Sequence, residues 1–532
     1  MTTLRTLFHA ASAFIFLSML VGLVLPACSD DVLTDGAAQP SFVLNDSDSY
    51  NLGILLMGQT TATQRLMLYN ANAGEICLQR LALRGGDSSL FRINVDGMAG
   101  SAFTDPDFLH IASGDSLCVL VEASFNAHQT EVDVVRQDYI DILCNGQQTS
   151  IRLTVTTRST EQLASDTIRH DTVWQEGGLN KLLRGQLIIA PGATLTIGPG
   201  VTLYLHDHAG IEVQGTLRMQ GTVQSPVTLI GDRTDRIFDN LYYRDMSAQW
   251  GGIRYTATST GNLIEGAIIK GMTTGIELCQ DSTDTTFLSE APQGLYVTGD
   301  PKRYLYGPDF MTDERQQLII RSSIIMNSDS SLISARKSNM IIENSLLMNS
   351  AGAILELSGG AYDITHCTLA NYNYWAAFSK CDVELRNYYL DTDTEDLVSD
   401  VAHLPAPLYR CNFTNSIIYG NSQRDPNINT DYAIFVDDRS QRADSIFNYR
   451  LDHCLIHSTT GFDDDDCLSV LWSQDPQYRL VDMPNYTVDA HLQDTSPCLT
   501  HGDARTVTRL PLDLDGQTRL GKDSVAIGCY QN

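Results

Sequence analysis

The chain has 532 residues, of which 43% are hydrophobic, which is enough for more than one buried core. It carries 35 basic and 64 acidic residues, a formal net charge of −29, and this excess of negative charge argues against nucleic acid or an anionic lipid surface as a partner. Its 12 cysteines include no Cys-x-x-Cys pair, so the pattern supports neither a zinc site nor thioredoxin-like chemistry, and no metal or cofactor is predicted.

Residues 1–28 have the composition of an export signal. Arg5 supplies the positive start, and residues 10–25 form an apolar stretch that is too short to span a bilayer comfortably. The stretch leads into Leu-Pro-Ala-Cys, ending at Cys28, which resembles the lipobox of bacterial lipoproteins. The next three residues, Ser29, Asp30 and Asp31, resemble the acidic surface-export tag of Bacteroidetes lipoproteins. The resemblance implies lipidation at Cys28, a membrane partner through that lipid, and a place on the outer membrane facing the cell surface.

Residues 42–157 are predicted to form a β-sandwich. Short alternating strands at residues 53–57, 65–69, 118–122, 139–143 and 151–156 lie between turn signals such as Asn145-Gly146. The pattern of residues 113–121, 139–143 and 151–155 resembles immunoglobulin-like modules of the spindle-protein/hydin type, which space or present a larger domain. Residues 158–171 are polar, and they are predicted to be a linker.

Residues 172–532 are predicted to form a solenoid. Between residues 185 and 253, short apolar runs are broken by Gly and Pro, because Gly supplies the positive φ that tight turns need. Two runs resemble the first rungs of bacterial extracellular β-helix proteins: Gly-Ala-Thr-Leu-Thr-Ile at residues 192–197 and Trp-Gly-Gly-Ile at residues 250–253. The implied fold is all-β, with an N-terminal immunoglobulin-like β-sandwich followed by a right-handed parallel β-helix of the pectin-lyase-like type.

A 22-residue period supports the solenoid. Ser323, Ser345 and Cys367 recur at this spacing, and Asn327, Asn349 and Asn371 do so four residues later. A fixed period of this length is typical of stacked rungs. The small residues are predicted to stack inward, and the Asn residues at one bend, about 4.8 Å apart. The remaining members assigned to the small position are Ala267, Asn387, Ser416 and Cys454, with Gly271 in the place of Asn after Ala267.

Three insertions bring aromatic residues to the bends. Aromatic rings beside carboxylates and amides are what a sugar-binding groove requires, although such rings also pack loops onto a fold. The candidate ligand-binding residues are Tyr242, Tyr243, Tyr304, Tyr306, Tyr374 and Trp375.

The C-terminal segment resembles the closing segments of many β-helix proteins at residues 495–499, 513–519 and 526–530. It is predicted to cap the last rung. Cys498 and Cys529 stand where that pattern has Ala, and they are expected to lie close together. Asp513 and Asp515 resemble part of a calcium loop, but Arg519 brings positive charge, so a structural turn is favoured over a metal site.

No catalytic residue is assigned. Residues 429–431 and 436–438 resemble polygalacturonase motifs, but they are too close in sequence to lie on separate rungs. We expect an outer-membrane lipoprotein whose β-helix binds glycan or another cell-surface molecule. One alternative is a polysaccharide lyase or glycoside hydrolase acting in the β-helix groove, and a second is a structural or adhesive protein without a small ligand. Carboxylates and a basic residue converging in one groove favour an enzyme, whereas an aromatic strip favours binding. The sequence does not determine the oligomeric state.

Overall fold

The computed structural model describes residues 32–126, 133–175, 177–238, 241–279, 317–372, 381–390, 403–420, 434–437, 446–458, 464–521 and 524–531. In these ranges the regular structure is β-strand with short 3-10 turns, and none of their helices is long and apolar enough to cross a membrane. The chain divides after Ser159 into two units. Each unit has its own hydrophobic core.

The first unit is a sandwich of two sheets around one core. One sheet has six strands, in the order Tyr50–Leu56, Gln147–Arg158, Asp133–Cys144, Ile76–Leu83 and Ala102–Phe103, with His110–Ile111 also pairing with Ile76–Leu83. The other has five strands, in the order Gln59–Thr60, Ser116–Phe125, Phe91–Val95 and Met98–Gly100, with Gln64–Tyr69 also pairing with Ser116–Phe125.

Strict alternation of side chains builds this sandwich. In Ser116–Phe125 every second residue is buried, so Leu117, Val119 and Val121 enter the core while their neighbours remain partly exposed. The strands predicted between residues 53 and 156 overlap observed strands throughout. The β-sandwich is therefore confirmed, whereas its immunoglobulin-like type stays a prediction.

The second unit is a 27-stranded parallel sheet wound into three faces, so that each rung contributes one strand to each face. The first face contains Thr160–Leu163, Asn180–Leu183, Thr202–Leu205, Val227–Gly231, the start of Ala267–Cys279, Ile324–Ser328, Leu346–Ser350, Thr368–Ala370, Ile417–Ile418, Leu455–Ile456 and Leu471–Trp472. The second face contains Asp166–Ile168, Gln186–Ile189, Gly210–Val213, Trp250–Tyr255, the end of Ala267–Cys279, the starts of Ile333–Glu343 and Leu355–Thr365, Val383–Arg386 and Ile434–Asp437.

The third face contains Thr172–Trp174, Thr194–Ile197, Thr216–Gln220, Asn262–Glu265, Leu318–Arg321, the ends of Ile333–Glu343 and Leu355–Thr365, Leu408–Thr414, Arg450–Asp452 and Cys467–Leu468. Inward side chains from successive rungs stack on one another. On the third face the fully buried stack includes Ile320, Ile342, Ile364, Phe413 and Leu451. The predicted parallel β-helix is confirmed, because every pairing in this sheet joins parallel strands of successive rungs.

Short elements complete the described chain. Antiparallel hairpins pair Arg236–Phe238 with Leu241–Tyr242, Tyr388–Leu390 with His403–Pro405, and Tyr478–Asp482 with Thr487–Leu492. The 3-10 turns are Gly86–Ser88, Tyr243–Asp245, Asp464–Asp466, Met483–Asn485, Pro497–Thr500 and Ala504–Thr506.

The 22-residue register is confirmed by strand pairing, since Ile325 pairs with Leu347 and Leu347 pairs with Leu369. The small column is inward as predicted: the Ser323 N–H donates to Ser345 Oγ at 3.2 Å, and the Cys367 N–H donates to Ser416 Oγ at 3.2 Å. Cys367 and Cys454 are fully buried, and burial raises the pKa of the Cys454 thiol to about 12.

The Asn ladder is present in part. Asn349 Nδ2 donates to Asn327 Oδ1 at 3.2 Å, and both residues have positive φ. Asn371 departs from the ladder, because its Nδ2 donates to the Ser350 carbonyl at 3.1 Å and its φ is not positive. A side-chain ladder therefore joins two rungs instead of three.

A second column with left-handed backbone lies one residue before the small column. Its members on five rungs have φ between 44° and 53°: Ser322, Asn344, His366, Asn415 and His453. This is the turn from the third face to the first face. Asn and His tolerate this conformation better than most side chains do. The sequence pattern predicted left-handed backbone only at the Asn327 column, so this second column was not predicted.

Two predictions about the β-helix are wrong: the linker at residues 158–171 and the place of Asn387 in the small column. Residues 158–171 are not a linker, because Thr160–Leu163 and Asp166–Ile168 pair with the next rung and begin the β-helix. The two strands of this segment are only four and three residues long and have outward polar side chains, so the segment reads as polar although Ile168 is buried. Asn387 does not belong to the small column, because Val383–Arg386 pairs with Leu355 to Ser358 on the second face.

Residues 497–531, the C-terminal tail, lie along the first face and its turns instead of capping the last rung. The Gly528 N–H donates to the Asn415 carbonyl at 2.8 Å, and the Cys529 N–H donates to Thr368 Oγ1 at 3.1 Å. The tail covers outward apolar residues of the first face, here called the apolar strip: Leu346, Met348, Ala370, Ile417 and Leu455. Burying this strip is a favourable alternative to capping, since it removes apolar surface from water on several rungs.

Other predictions about the tail have mixed outcomes. The Ile527 N–H donates to the Cys498 carbonyl at 3.0 Å, so the segments of Cys498 and Cys529 adjoin, yet both cysteines are free thiols. The carboxylate of Asp513 accepts from the backbone N–H groups of Asp515, Gln517 and Gln531. These hydrogen bonds stabilise a turn at Asp513, which agrees with the prediction of a structural turn in place of a calcium site.

Candidate functional site

A polar row runs along the outside of the second face. Strand pairing places one outward residue of each rung next to that of the following rung. The row consists of Glu212, Arg254, Glu277, Ser334, Glu356 and Glu384. Parallel strands lie about 4.8 Å apart, so these six side chains form a line of roughly 24 Å on one surface.

The row exists because each of these residues directly follows an inward apolar residue. Ile253, Ile276 and Leu355 are buried in the core, so the next side chain along the strand must point outward. Arg336 and Arg386 lie two residues beyond row positions and point to the same side. The surface therefore carries both carboxylates and guanidinium groups.

Arg386 joins two carboxylates from neighbouring rungs. Its Nη2 lies 2.8 Å from Glu384 Oε1, and its Nη1 lies 3.5 Å from Glu356 Oε1. Glu356 also accepts a hydrogen bond from Ser331 Oγ at 2.8 Å. Both carboxylates are partly or largely buried, with side-chain exposures of 24% for Glu356 and 8% for Glu384. Two carboxylates and a basic residue thus converge on one surface.

Glu277 has a different environment. Burial raises the pKa of this carboxyl, and the charges of Arg254 and Arg336 oppose that rise without cancelling it. Neither arginine forms an ion pair with another described residue. Glu277 therefore takes up a proton more readily than an ordinary glutamate, and it lies beside two guanidinium groups.

Arginines cover Tyr242 and Tyr243, two of the six residues predicted to bind ligand. Arg233 Cζ lies 3.3 Å from the centroid of the Tyr243 ring, and Arg233 also pairs with Asp235 at 2.7 Å. Arg236 and Arg244 lie 5.0 and 4.6 Å from the Tyr242 ring centroid, and Arg236 Nη2 donates to Tyr242 Oη at 2.8 Å. These rings pack within their own insertion, because cation–π contacts occupy the surface that a sugar would use.

The other predicted site residues lie outside the described residues: Cys28, Tyr304, Tyr306, Tyr374 and Trp375. Residues 429–431 lie outside them as well. The strand Ile434–Asp437, by contrast, belongs to the second face, where Asp437 pairs with Arg386. The second of the two polygalacturonase-like motifs therefore begins beside the polar row, a position that its sequence spacing did not indicate.

A second polar cluster lies where the hairpin Tyr478–Asp482 and Thr487–Leu492 meets the tail. His491 Nδ1 contacts Asp489 Oδ1, and His491 Nε2 lies 2.7 Å from Asp515 Oδ2. The imidazole stacks on Tyr530 with 3.8 Å between ring centroids. An open cleft of about 540 Å³ adjoins this cluster and is lined by Arg479, Gln493, Asp494 and Gln517 among others.

Metal chemistry has no support in the described part of the chain, where no group of three or more His, Cys, Asp or Glu side chains is arranged to hold an ion. In the tail cluster Asp489 and Asp515 contact His491, and in the polar row Glu356 and Glu384 contact Arg386.

The polar row was missed at the sequence level because the aligned segments covered the strands of the third and first faces and left out those of the second face. The 22-residue register also relates the strands of the second face, where Ser334 and Glu356 are 22 residues apart. Extending the alignment to these strands would have revealed the charged position after each buried aliphatic residue. Insertions of unequal length hide the remaining members.

No protein-family model matches the sequence, and no curated protein matches it. Among solved structures, the Vibrio cholerae VesB protease is 15% identical over 24% of this chain, with a TM-score of 0.16, and this chain spans 33% of that protein. A GH87 α-1,3-glucanase catalytic domain in complex with tetrasaccharides is 9% identical, covering 80% of this chain and 84% of that one, with a TM-score of 0.20. The same type of domain with nigerose is 10% identical, covering 78% and 89%, with a TM-score of 0.18. Similarities this low carry no argument about activity.

Proposed function

We propose that this protein binds a glycan along the polar row of the second face and that a lipid on Cys28 anchors it to the outer membrane. The observation that carries the binding proposal is the continuous line of carboxylate, hydroxyl and guanidinium side chains from six rungs. Sugar hydroxyl groups are both donors and acceptors, and charged side chains form the stronger hydrogen bonds to them. A line of such groups fits an extended chain of sugars.

The binding test uses residues 29–532 on a glycan array, followed by titration of the best glycan. Arg254→Gln is expected to weaken binding by about tenfold or more, because a charge-assisted hydrogen bond contributes roughly 1.5–3 kcal/mol. The matched control is Arg65→Gln, which removes an exposed arginine from the sandwich strand Gln64–Tyr69. Equal binding by wild type and Arg254→Gln would contradict the assignment of the site.

Hydrolysis of the bound glycan is the second candidate, and it is favoured by the convergence of Glu356, Glu384 and Arg386 and by the raised pKa of Glu277. Glu277 lies two rungs, roughly 10 Å, from Glu356 along the row. Glycosidases pair a carboxylic acid of raised pKa with an ionised carboxylate, and in the inverting class the two carboxyl groups lie about 6.5–9.5 Å apart. Release of reducing ends in the same incubation, lost in Glu277→Gln, would identify an enzyme, whereas binding without release supports a binding protein.

The anchor is tested by Cys28→Ala. The thiol is the acyl acceptor in the lipobox, so this variant is expected to lose the lipid and to leave the membrane fraction. Metabolic labelling with a fatty acid and membrane fractionation measure the two effects. A Cys28→Ala protein that still carries the label and still sediments with membranes would show that another residue or segment forms the anchor.

A further inference from the structure

The open cleft between the hairpin and the C-terminal tail is separate from the polar row, and no residue of the row lines it. Its volume is about 540 Å³, and small-molecule sites have volumes of roughly 300–1,000 Å³. Residues of both segments form its walls: Arg479, His491, Gln493 and Asp494 on the hairpin side, and Asp515, Gln517 and Gln531 on the tail side. The cleft therefore exists only while the tail lies against the hairpin.

Asp513 fixes the tail wall of the cleft. This residue is buried, and its carboxylate accepts hydrogen bonds from the backbone N–H groups of Asp515 at 3.0 Å, Gln517 at 2.6 Å and Gln531 at 2.8 Å. These are the three tail residues that line the cleft. A ligand therefore meets a wall that is already ordered, which lowers the entropic cost of binding.

Four side chains in these walls keep polar atoms without a hydrogen-bond partner among the described residues. The Gln531 side chain is 7% exposed and its Oε1 accepts a backbone N–H at 3.0 Å, so its Nε2 group is left as a donor. Gln493 is the reverse case, because its Nε2 donates to the Tyr478 carbonyl at 2.8 Å and its Oε1 is left as an acceptor. The carboxylate of Asp494 and the side-chain amide of Gln517 are exposed, and neither is bonded within the described ranges. The walls thus offer both donors and acceptors to a ligand.

His491 adds a flat ring that is held on three sides. Its Nδ1 contacts Asp489, and its Nε2 lies 2.7 Å from Asp515 Oδ2. Tyr530 stacks on one face of the imidazole with 3.8 Å between ring centroids. The ring therefore meets the cleft with its opposite face and its carbon atoms, a flat apolar surface of the kind on which the C–H groups of a sugar pack.

We propose that this cleft is a second saccharide site, which binds a short uncharged saccharide independently of the polar row. Sugar hydroxyl groups donate and accept hydrogen bonds at once, so they match walls that carry free amide groups and a free carboxylate. An anionic sugar fits less well, because no described cation neutralises Asp494 and like charges repel. A metal ion fits less well too, since the described side chains include no group of three ligands arranged for one.

Saturation-transfer NMR on residues 29–532 tests the site, with glucose, galactose, mannose, N-acetylglucosamine and glucuronate as separate probes. At least one uncharged sugar is expected to receive saturation from the protein, and glucuronate is expected to receive less. The double variant Asp494→Ala, Gln517→Ala is expected to weaken the affinity for that sugar by about tenfold or more, because it removes one charged and one neutral hydrogen-bonding group. The matched control is Gln220→Ala, which removes an exposed glutamine from the β-helix strand Thr216–Gln220 and should bind as the wild type does.

The outcomes separate the cleft from the polar row. A loss of affinity confined to the cleft variant, with an unfolding midpoint equal to that of the wild type, supports the proposal. Loss of the signal in Arg254→Gln would place the sugar on the polar row and overturn the proposal. Equal affinity of wild type and cleft variant would overturn it as well, as would the absence of saturation transfer to every uncharged sugar. If the double variant is less stable, Asp494→Asn, which keeps the shape of the side chain and removes its charge, provides the same comparison.

Discussion

Arg519→Ala is expected to lower the free energy of unfolding by about 3–5 kcal/mol and to detach the tail. Arg519 is 1% exposed, and its guanidinium donates to Asn344 Oδ1 at 2.8 Å and to the Leu512 and Cys529 carbonyls. Removing it leaves several buried acceptors without a donor, each costing about 1–3 kcal/mol. It also leaves a cavity between the tail and the β-helix.

Chemical denaturation measures the loss, and two variants make it specific. Arg519→Lys keeps the charge but presents one ammonium in place of a planar fork, so it should recover only part of the stability. Arg505→Ala removes a tail arginine whose side chain is 76% exposed, and it should change the unfolding free energy by less than about 0.5 kcal/mol. An Arg519→Ala protein as stable as Arg505→Ala would refute the role given to the buried guanidinium.

Trp250→Ala is expected to cost about 3–5 kcal/mol, the range for truncating a large buried aromatic side chain. Trp250 is fully buried in the β-helix, and its Nε1 donates to the Lys270 carbonyl at 2.7 Å. The ring thus fills the interior of one rung, and its hydrogen bond joins that rung to the next one. Gly252 supports this packing, since a Cβ there would lie 2.4 Å from the Gly275 carbonyl oxygen.

A graded series checks the prediction for Trp250. Trp250→Phe keeps most of the apolar volume and loses the indole N–H, so it should cost about 1–3 kcal/mol, the price of one unsatisfied buried carbonyl. Trp472→Ala, at a half-buried position on the last described rung, should cost less than Trp250→Ala. The denaturation midpoint should shift with an unchanged slope. Equal midpoints for the two alanine variants would show that position along the stack does not matter.

The fold was readable from the sequence wherever the rung length stayed constant. Ser323, Ser345 and Cys367 follow one another without insertions, so the 22-residue period exposed the small column directly. Asn387 was assigned to the wrong column because 12 residues separate the strands Thr368–Ala370 and Val383–Arg386. The first of these strands lies on the first face and the second lies on the second face, and the long spacing hides that change. All three faces share the alternation of apolar and polar residues, so the pattern alone does not say which face a strand occupies.

The candidate site was less readable because it depends on contacts between distant segments. The sequence shows Tyr242 and Tyr243 as aromatic residues in an insertion, but not the arginines stacked on them. Likewise, Glu356 and Glu384 are ordinary glutamates in the sequence, and only the strand register brings Arg386 between them. The course of the tail could not be predicted for the same reason. An apolar segment near the end of a solenoid can bury its side chains either on the open end of the last rung or on one face of the β-helix.

The side-on course of the tail has a consequence for the order of events during folding. Arg519 bonds to Asn344 across 175 residues of chain, whereas neighbouring rungs close over about 22. Contacts between such distant residues form slowly, after the local ones. The ribosome makes residues 497–531 after all the rungs that they cover, so a chain still being synthesised lacks this cover on its outer apolar strip. Such an intermediate is prone to aggregation and is a substrate for chaperones, and a chain that ends before residue 497 stays in that state permanently.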